Sequence, residues 1–167
     1  MLTAFRFLCA VQRVMSSRSA VPSLPPHCPL CQPLTAVVWA DARLAVVAVD
    51  DAAYPGYTRV IWQRHQAEMT DLSRAERDWV MAVVWCVESV LRQEVAPHKV
   101  NVAALGNMVP HLHWHIIPRW PDDPHFPDAI WAAPHRPLAP RPCVSGQLAR
   151  YHARLAQQLD ALAAESV

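Results

Sequence analysis

The chain has 167 residues, 53% of them hydrophobic and 17% charged, with a formal net charge of +1. That length suits one domain with a real core and is too short for two ordinary ones. Near-neutral charge excludes broad electrostatic attraction to nucleic acid or a membrane surface, and no apolar run approaches the roughly 20 residues that span a bilayer.

Sixteen prolines stand against three glycines. The prolines gather around 22–33 and 118–142, which marks those stretches as extended or loop-like. Neither G-x-x-x-x-G-K-[ST] nor G-x-G-x-x-G occurs, so phosphate-loop and dinucleotide-fold readings lose their main support. The five cysteines are an odd number. Only Cys28 and Cys31 are closely spaced, a poor disulfide framework and a better metal or redox pair.

In chain order, 1–20 carries Arg6, Arg13 and Arg18, no acidic residue and an interrupted apolar run, loosely like a transit peptide or weak signal. A disordered tail, or a start at Met15, fits as well, and the cytoplasm is the expected compartment. Cys9 has no assigned place. β-rich runs at 36–39 and 44–49, separated by Asp41-Ala-Arg43, predict a hairpin. Tyr54-Pro-Gly56 predicts a turn into a strand over 57–62. Ser73 and Glu76 form a capping-box pattern at the head of a helix predicted over 73–95. Trp79, Val80, Val83, Val87, Val90 and Leu91 recur at helical spacing, Cys86 falls on the same apolar side, and Pro97 ends the helix.

A further strand is expected over 100–105, then a tight turn at Gly106-Asn107, then a strand over 111–118. The chain from 121 to 142 reads as loop. A final amphipathic helix is expected over 146–162, with Leu148, Tyr151, Leu155, Leu159 and Leu162 on its apolar stripe. Strands, one long helix, then strands predict an α+β domain: a mainly antiparallel sheet with the helix on one face.

The most informative stretch is His111-Leu-His-Trp-His-Ile-Ile-Pro118. Alternate side chains of a strand share a face. His111, His113 and His115 therefore line one side, roughly 6.6 Å apart along the row, while Leu112, Trp114 and Ile116 face a core. Such a row offers a nucleophile, a proton donor and a metal ligand in one patch. Two thiolates at the spacing of Cys28 and Cys31 bite one ion, usually zinc, and a closed tetrahedral site needs two more ligands. His65 and His111 are candidates; the bland alternative is a pair of reduced bystanders. Arg119 reads as a surface arginine, with a phosphate contact as the alternative. Trp62, Trp114 and Trp120 could stack on a base, although core packing is the default for Trp114. His125 and His135 read as solvated, and His98 as a partner of carbonyls at the helix end. Arg59 and Arg64 receive no role.

The run Asn101-Val-Ala-Ala-Leu-Gly-Asn-Met-Val-Pro-His-Leu-His-Trp-His-Ile-Ile-Pro-Arg119 resembles the signature of the histidine-triad (HIT) superfamily, His-φ-His-φ-His-φ-φ with φ apolar. Cys28-x-x-Cys31, the Tyr54-Pro-Gly56 turn and the strand ending near His65 match its order. The closest resemblance is to a bacterial branch of HIT hydrolases of the diadenosine tetraphosphate type. It implies a HIT domain over 28–131, preceded by a disordered extension at 1–27 and followed by a Pro-rich loop and helix at 132–167. It implies His113 as nucleophile toward an α-phosphorus and His115 as the group assisting the leaving half. It further implies Gly106 and Asn107 as backbone donors to phosphoryl oxygens, Asn101 as orienter of the phosphate, and Asp50, with Asp51 competing, as acceptor of the ribose hydroxyls. In zinc-bearing relatives the ligands fall at Cys28, Cys31, His65 and His111, which implies a structural zinc. Two departures stand out: many relatives in this branch carry Gln where His111 stands, and several carry His where Tyr57 stands.

Three functions follow: a nucleotide hydrolase or transferase acting on dinucleoside polyphosphates or nucleoside phosphoramidates, a non-catalytic nucleotide-binding sensor or scaffold, or a zinc enzyme with all three triad histidines on one ion. The expected partner is a nucleotide substrate, with no nucleic acid and no membrane. A homodimer paired through sheet edge and helix is left open.

Overall fold

A computed structural model describes residues 28–143 and 146–165. The expectations for 1–27, Cys9 among them, lie outside the described residues. Five strands form one antiparallel sheet in the order β1-β2-β3-β5-β4. They are β1 (Val37–Ala40), β2 (Leu44–Ala48), β3 (Thr58–Trp62), β4 (Lys99–Ala104) and β5 (His113–Arg119). Helix α1 (Arg74–Glu94) joins β3 to β4, and α2 (Gln147–Glu165) follows the sheet. The α+β expectation holds.

Local chemistry sets the boundaries. Ser73 caps α1: its hydroxyl accepts from the Glu76 amide at 3.3 Å, and the Glu76 carboxylate accepts from the Ser73 amide at 2.7 Å. This reciprocal box satisfies two of the donors that a helix start leaves open. Gly56 adopts φ +94°, and a β-carbon there would lie 2.9 Å from Leu91 Cδ1. The turn into β3 thus needs glycine for both its backbone conformation and its close approach to α1.

Strand alternation divides the sheet into two faces. Leu44, Val46, Val60, Trp62 and Ile116 join α1 and α2 in the main core. Seven α1 side chains are buried there, including every one expected from helical spacing. Such side chains contribute about 1.5–3 kcal/mol each. Cys86 packs at the edge of this core and is only partly buried. Tyr151, Leu155 and Leu159 of α2 are fully buried, and Thr58 and Tyr151 hydroxyls meet at 2.8 Å, joining helix to β3. The opposite face carries Arg59, Ile61, His113 and His115, with small apolar clusters of Ala45, Val47 and Ile61 and of Tyr54, Tyr57 and Ile117. Helices therefore cover one side and leave the histidines on the other.

Two backbone expectations are corrected. Gly106-Asn107 is not a tight turn; residues 105–112 form an irregular loop that bends at 107–109. β5 begins at His113, so His111 lies just before the strand. The stretch from 120 to 143 is loop as expected, but it is anchored. Arg119 is 1% exposed and pairs with Asp123 at 2.7 Å, so it is neither a surface arginine nor a free phosphate ligand. His125 is buried, not solvated, with Nδ1 2.6 Å from the Tyr54 hydroxyl. His135 is exposed and pairs with Asp128 at 2.8 Å. His98 packs edge-on against Phe126 rather than on helix carbonyls. No described helix is long and apolar enough to cross a membrane.

Candidate active site and metal centre

Register fixes the site. Across the β3–β5 ladder Arg59 pairs with His115 and Ile61 with His113. The two imidazoles are buried and their ring centroids lie 4.7 Å apart, closer than an ideal strand row because the rings tilt toward each other. They line a cavity of about 470 Å³ together with Arg59, Gly106, Asn107, Met108 and Trp131. The Trp131 ring stands edge-on to His115 at 5.1 Å.

Hydrogen-bond partners fix the protons. His113 Nδ1 lies 2.6 Å from the backbone carbonyl of His111. A carbonyl only accepts, so Nδ1 carries the hydrogen and Nε2 keeps its lone pair. His115 Nδ1 meets the Tyr57 hydroxyl. The phenol oxygen already accepts from Arg59 Nε at 3.5 Å, and burial pushes its pKa up, so its own proton points to His115 Nδ1. That leaves the hydrogen of neutral His115 on Nε2. Burial, then His113 and Arg59, push His115 down to about 4. Burial, with a smaller contribution from Arg59, also lowers His113 against the opposing effect of its carbonyl partner. Two neutral rings therefore present opposite faces: a lone pair on His113 and an N–H on His115.

The third histidine belongs to a different constellation. Cys28 Sγ lies 3.4 Å from His111 Nδ1, Cys31 Sγ lies 3.4 Å from His65 Nδ1 and 3.5 Å from His111 Nδ1. The four donor atoms all fall within 4.8 Å of one another. Tetrahedral zinc bonds to sulfur and imidazole imply S···N separations of about 3.5 Å, so the donors fit that ion. His111 Nε2 donates to the Trp62 carbonyl at 2.5 Å, which frees Nδ1 for an ion and orients the ring. Burial and the neighbouring Cys28 push the Cys31 thiol up to about 11, so ionising both thiols calls for a cation between them. Among the described residues this is the one cluster of its kind, and His113 and His115 are not in it. A three-histidine metal site is thereby overturned.

The remaining expected site residues separate. Gly106 and Asn107 line the histidine cavity. Asn101 does not: its Oδ1 accepts from Arg119 Nη1 at 2.6 Å, and it lines a different depression, on another side of Trp131. Asp50 is exposed beyond β2 and does not line the histidine cavity. Asp51 closes its own turn by accepting from the Ala53 amide at 2.9 Å. Trp62 is buried and Trp114 packs against the main core, while Trp120 carries Arg141 over its ring at 4.3 Å. Three residues without an expected role form part of the site: Tyr57, Arg59 and Trp131. Only Tyr57 carried a signal, as a departure from relatives.

A family model described as HIT domain matches residues 32–122. A solved histidine triad protein from Marinobacter aquaeolei is 27% identical, with a TM-score of 0.60 over 74% of this chain and 89% of that one. Another, from Bradyrhizobium japonicum, is 26% identical with a TM-score of 0.60 over 72% and 87%. An AP-4-A phosphorylase of Mycobacterium tuberculosis is 33% identical over 78 residues, which is 43% of this chain and 40% of the length of that protein.

Proposed function

The chain belongs to the HIT domain family, and from that premise we propose that it is a nucleotide hydrolase or transferase. It acts at the α-phosphate of dinucleoside polyphosphates or nucleoside phosphoramidates through a nucleotidyl-His113 intermediate. One observation carries the reading: the complementary protonation of His113 and His115 at the floor of a single cavity.

His113 Nε2 attacks phosphorus and forms a P–N bond while the bond to the leaving group breaks and its electron pair departs with that group. The His111 carbonyl stabilises the positive charge that develops on the imidazole through its Nδ1–H. His115 donates a hydrogen bond from Nε2. A neutral imidazole is a weak acid, so this is hydrogen bonding rather than full proton transfer, and it suits a leaving group that departs as a stable anion. Gly106 and Asn107 line the same space, and their backbone amides are the proposed partners of the phosphoryl oxygens. Water then adds at phosphorus, the P–N pair returns to Nε2, and one water proton is released with the nucleoside monophosphate. Splitting one displacement into two lowers each barrier. The phosphorylase likeness supports a substrate of the dinucleoside polyphosphate kind.

Zinc is the proposed occupant of the Cys28, Cys31, His65 and His111 cluster. Four protein ligands leave no open position, so the ion would supply charge neutralisation and a cross-link between the Cys28–Cys31 segment and the approach to β5. A homodimer is supported by β4, an edge strand with Val102 37% exposed, and by Trp85 of α1, 62% exposed.

The test is adduct mapping. Protein incubated with diadenosine tetraphosphate, acid-free quenched and digested, is expected to carry AMP on His113, and His113→Ala to carry none. Unchanged turnover in that variant would remove the nucleophile assignment, and no turnover in the parent would leave a nucleotide-binding scaffold.

A further inference from the structure

Arg59 is the unexplained cation of the cavity. It is partly buried, lines the space beside His113 and His115, and sits opposite His115 in the sheet register. Among the described residues it has no carboxylate partner. Among the described residues its one hydrogen bond runs from Nε to the Tyr57 oxygen, and its guanidinium lies 5.6 Å from the centre of the Tyr57 ring. The two terminal nitrogens have no partner among the described residues. Arg119, on the same face of the sheet, shows the contrast: it is neutralised by Asp123.

An unneutralised guanidinium beside two neutral imidazoles leaves a net positive cavity. Burial first, then His113 and this guanidinium, hold His115 neutral. The cost of holding a cation there is offset when an anion arrives, and a guanidinium fork matches phosphate oxygens. The cavity, about 470 Å³, falls in the range of small-molecule sites and exceeds what one phosphate fills. Tyr57 holds the arginine by Nε, so the terminal nitrogens are the ones free to meet a ligand.

We propose that Arg59 binds a phosphate beyond the one attacked, making this a site selective for nucleotides with a polyphosphate leaving group over phosphoramidates. The inference rests on His113 and His115 as the reacting pair, and it deepens that reading by naming the leaving-group class. It agrees with the neutral state of His115, since an amine leaving group needs a proton and a polyphosphate does not.

The test measures binding, so it does not depend on turnover. Titration of the full chain bearing His113→Ala with AMP and with ATP is expected to give ATP at least about tenfold tighter binding. Adding Arg59→Gln is expected to bring the two within about twofold by weakening ATP far more than AMP. Equal weakening of AMP and ATP, no weakening of either, or no ATP advantage before the substitution would each overturn the proposal. If Arg59→Gln fails to fold, inorganic tripolyphosphate against the parent protein decides: competition with ATP supports the site, and its absence overturns it. An Arg59-dependent ATP advantage without any adduct on His113 would sink the proposed reaction and keep the phosphate site.

Discussion

The Tyr57 hydroxyl rests on Nδ1 of His115, and through that contact a residue at the entry to β3 decides which ring nitrogen of a β5 histidine carries its hydrogen. Removing the hydroxyl frees His115 to populate either tautomer. Tyr57→Phe is expected to lower kcat about tenfold with KM nearly unchanged. ¹⁵N correlation spectra of the imidazoles check the cause: His115 should be fixed as the Nε2–H form in the parent and mixed in the variant. A variant with a fixed ring and full activity would remove Tyr57 from this role.

The metal cluster makes a separable prediction. The parent is expected to hold close to one zinc per chain, Cys28→Ser or Cys31→Ser to lose it, and His113→Ala to retain it. Elemental analysis of purified protein reads this directly. Chelation should lower Tm by on the order of 5 °C or more, with no such loss in the cysteine variants, which are already depleted.

Asp123 is 1% exposed and accepts from Arg119 and from the amides of Trp120, His125 and Phe126. Burial raises its pKa, but the Arg119 hydrogen bond and the amides outweigh this and bring it down to about 2. Its stabilisation is therefore complete above the unfolded value near 3.8 and is lost as pH falls through about 2. Asp123→Asn leaves Arg119 buried without a counter-charge and is expected to cost about 3 kcal/mol near neutral pH. Urea titrations of both proteins between pH 2 and 5 should show the gap closing toward acid.

His115 acts in the same sense, in a higher pH window. Its folded pKa of about 4 lies below the ordinary 6.5, because burial, His113 and Arg59 oppose its charge. Between those values the unfolded chain takes up a proton that the folded ring refuses, so stability falls as the solution is acidified. His115→Asn is expected to flatten that slope, by up to about 1.4 kcal/mol per pH unit. Denaturant midpoints of parent and variant from pH 4 to 7 measure the difference; parallel slopes would contradict it.

Gly56→Ala tests the turn that feeds β3. Positive φ and a 2.9 Å approach to Leu91 Cδ1 oppose the added carbon, and a loss of about 2 kcal/mol is expected on denaturation.

The legible parts of the fold were those written locally. The Ser73–Glu76 box and the valine spacing of α1 needed only neighbours along the chain. The alternation of His113 and His115 with Trp114 and Ile116 needed only a strand. What escaped depended on distant partners or on the path of a loop. His125 is buried because Tyr54, far away in sequence, supplies its hydroxyl. Arg119 is internal because the chain turns back to place Asp123 on it. Arg59 enters the cavity through its register with His115, and Trp131 through the return of a long loop; neither is written in spacing. Asn101 misled because its strand position was right while Arg119 claims its side chain.

His111 divides its atoms between two tasks. Its ring faces Cys28, Cys31 and His65, and its carbonyl grips the hydrogen of His113. Whatever steadies that ring also steadies the oxygen on which the reacting imidazole leans. On the proposed reading, stripping the cluster's ion is expected to slow turnover from outside the cleft.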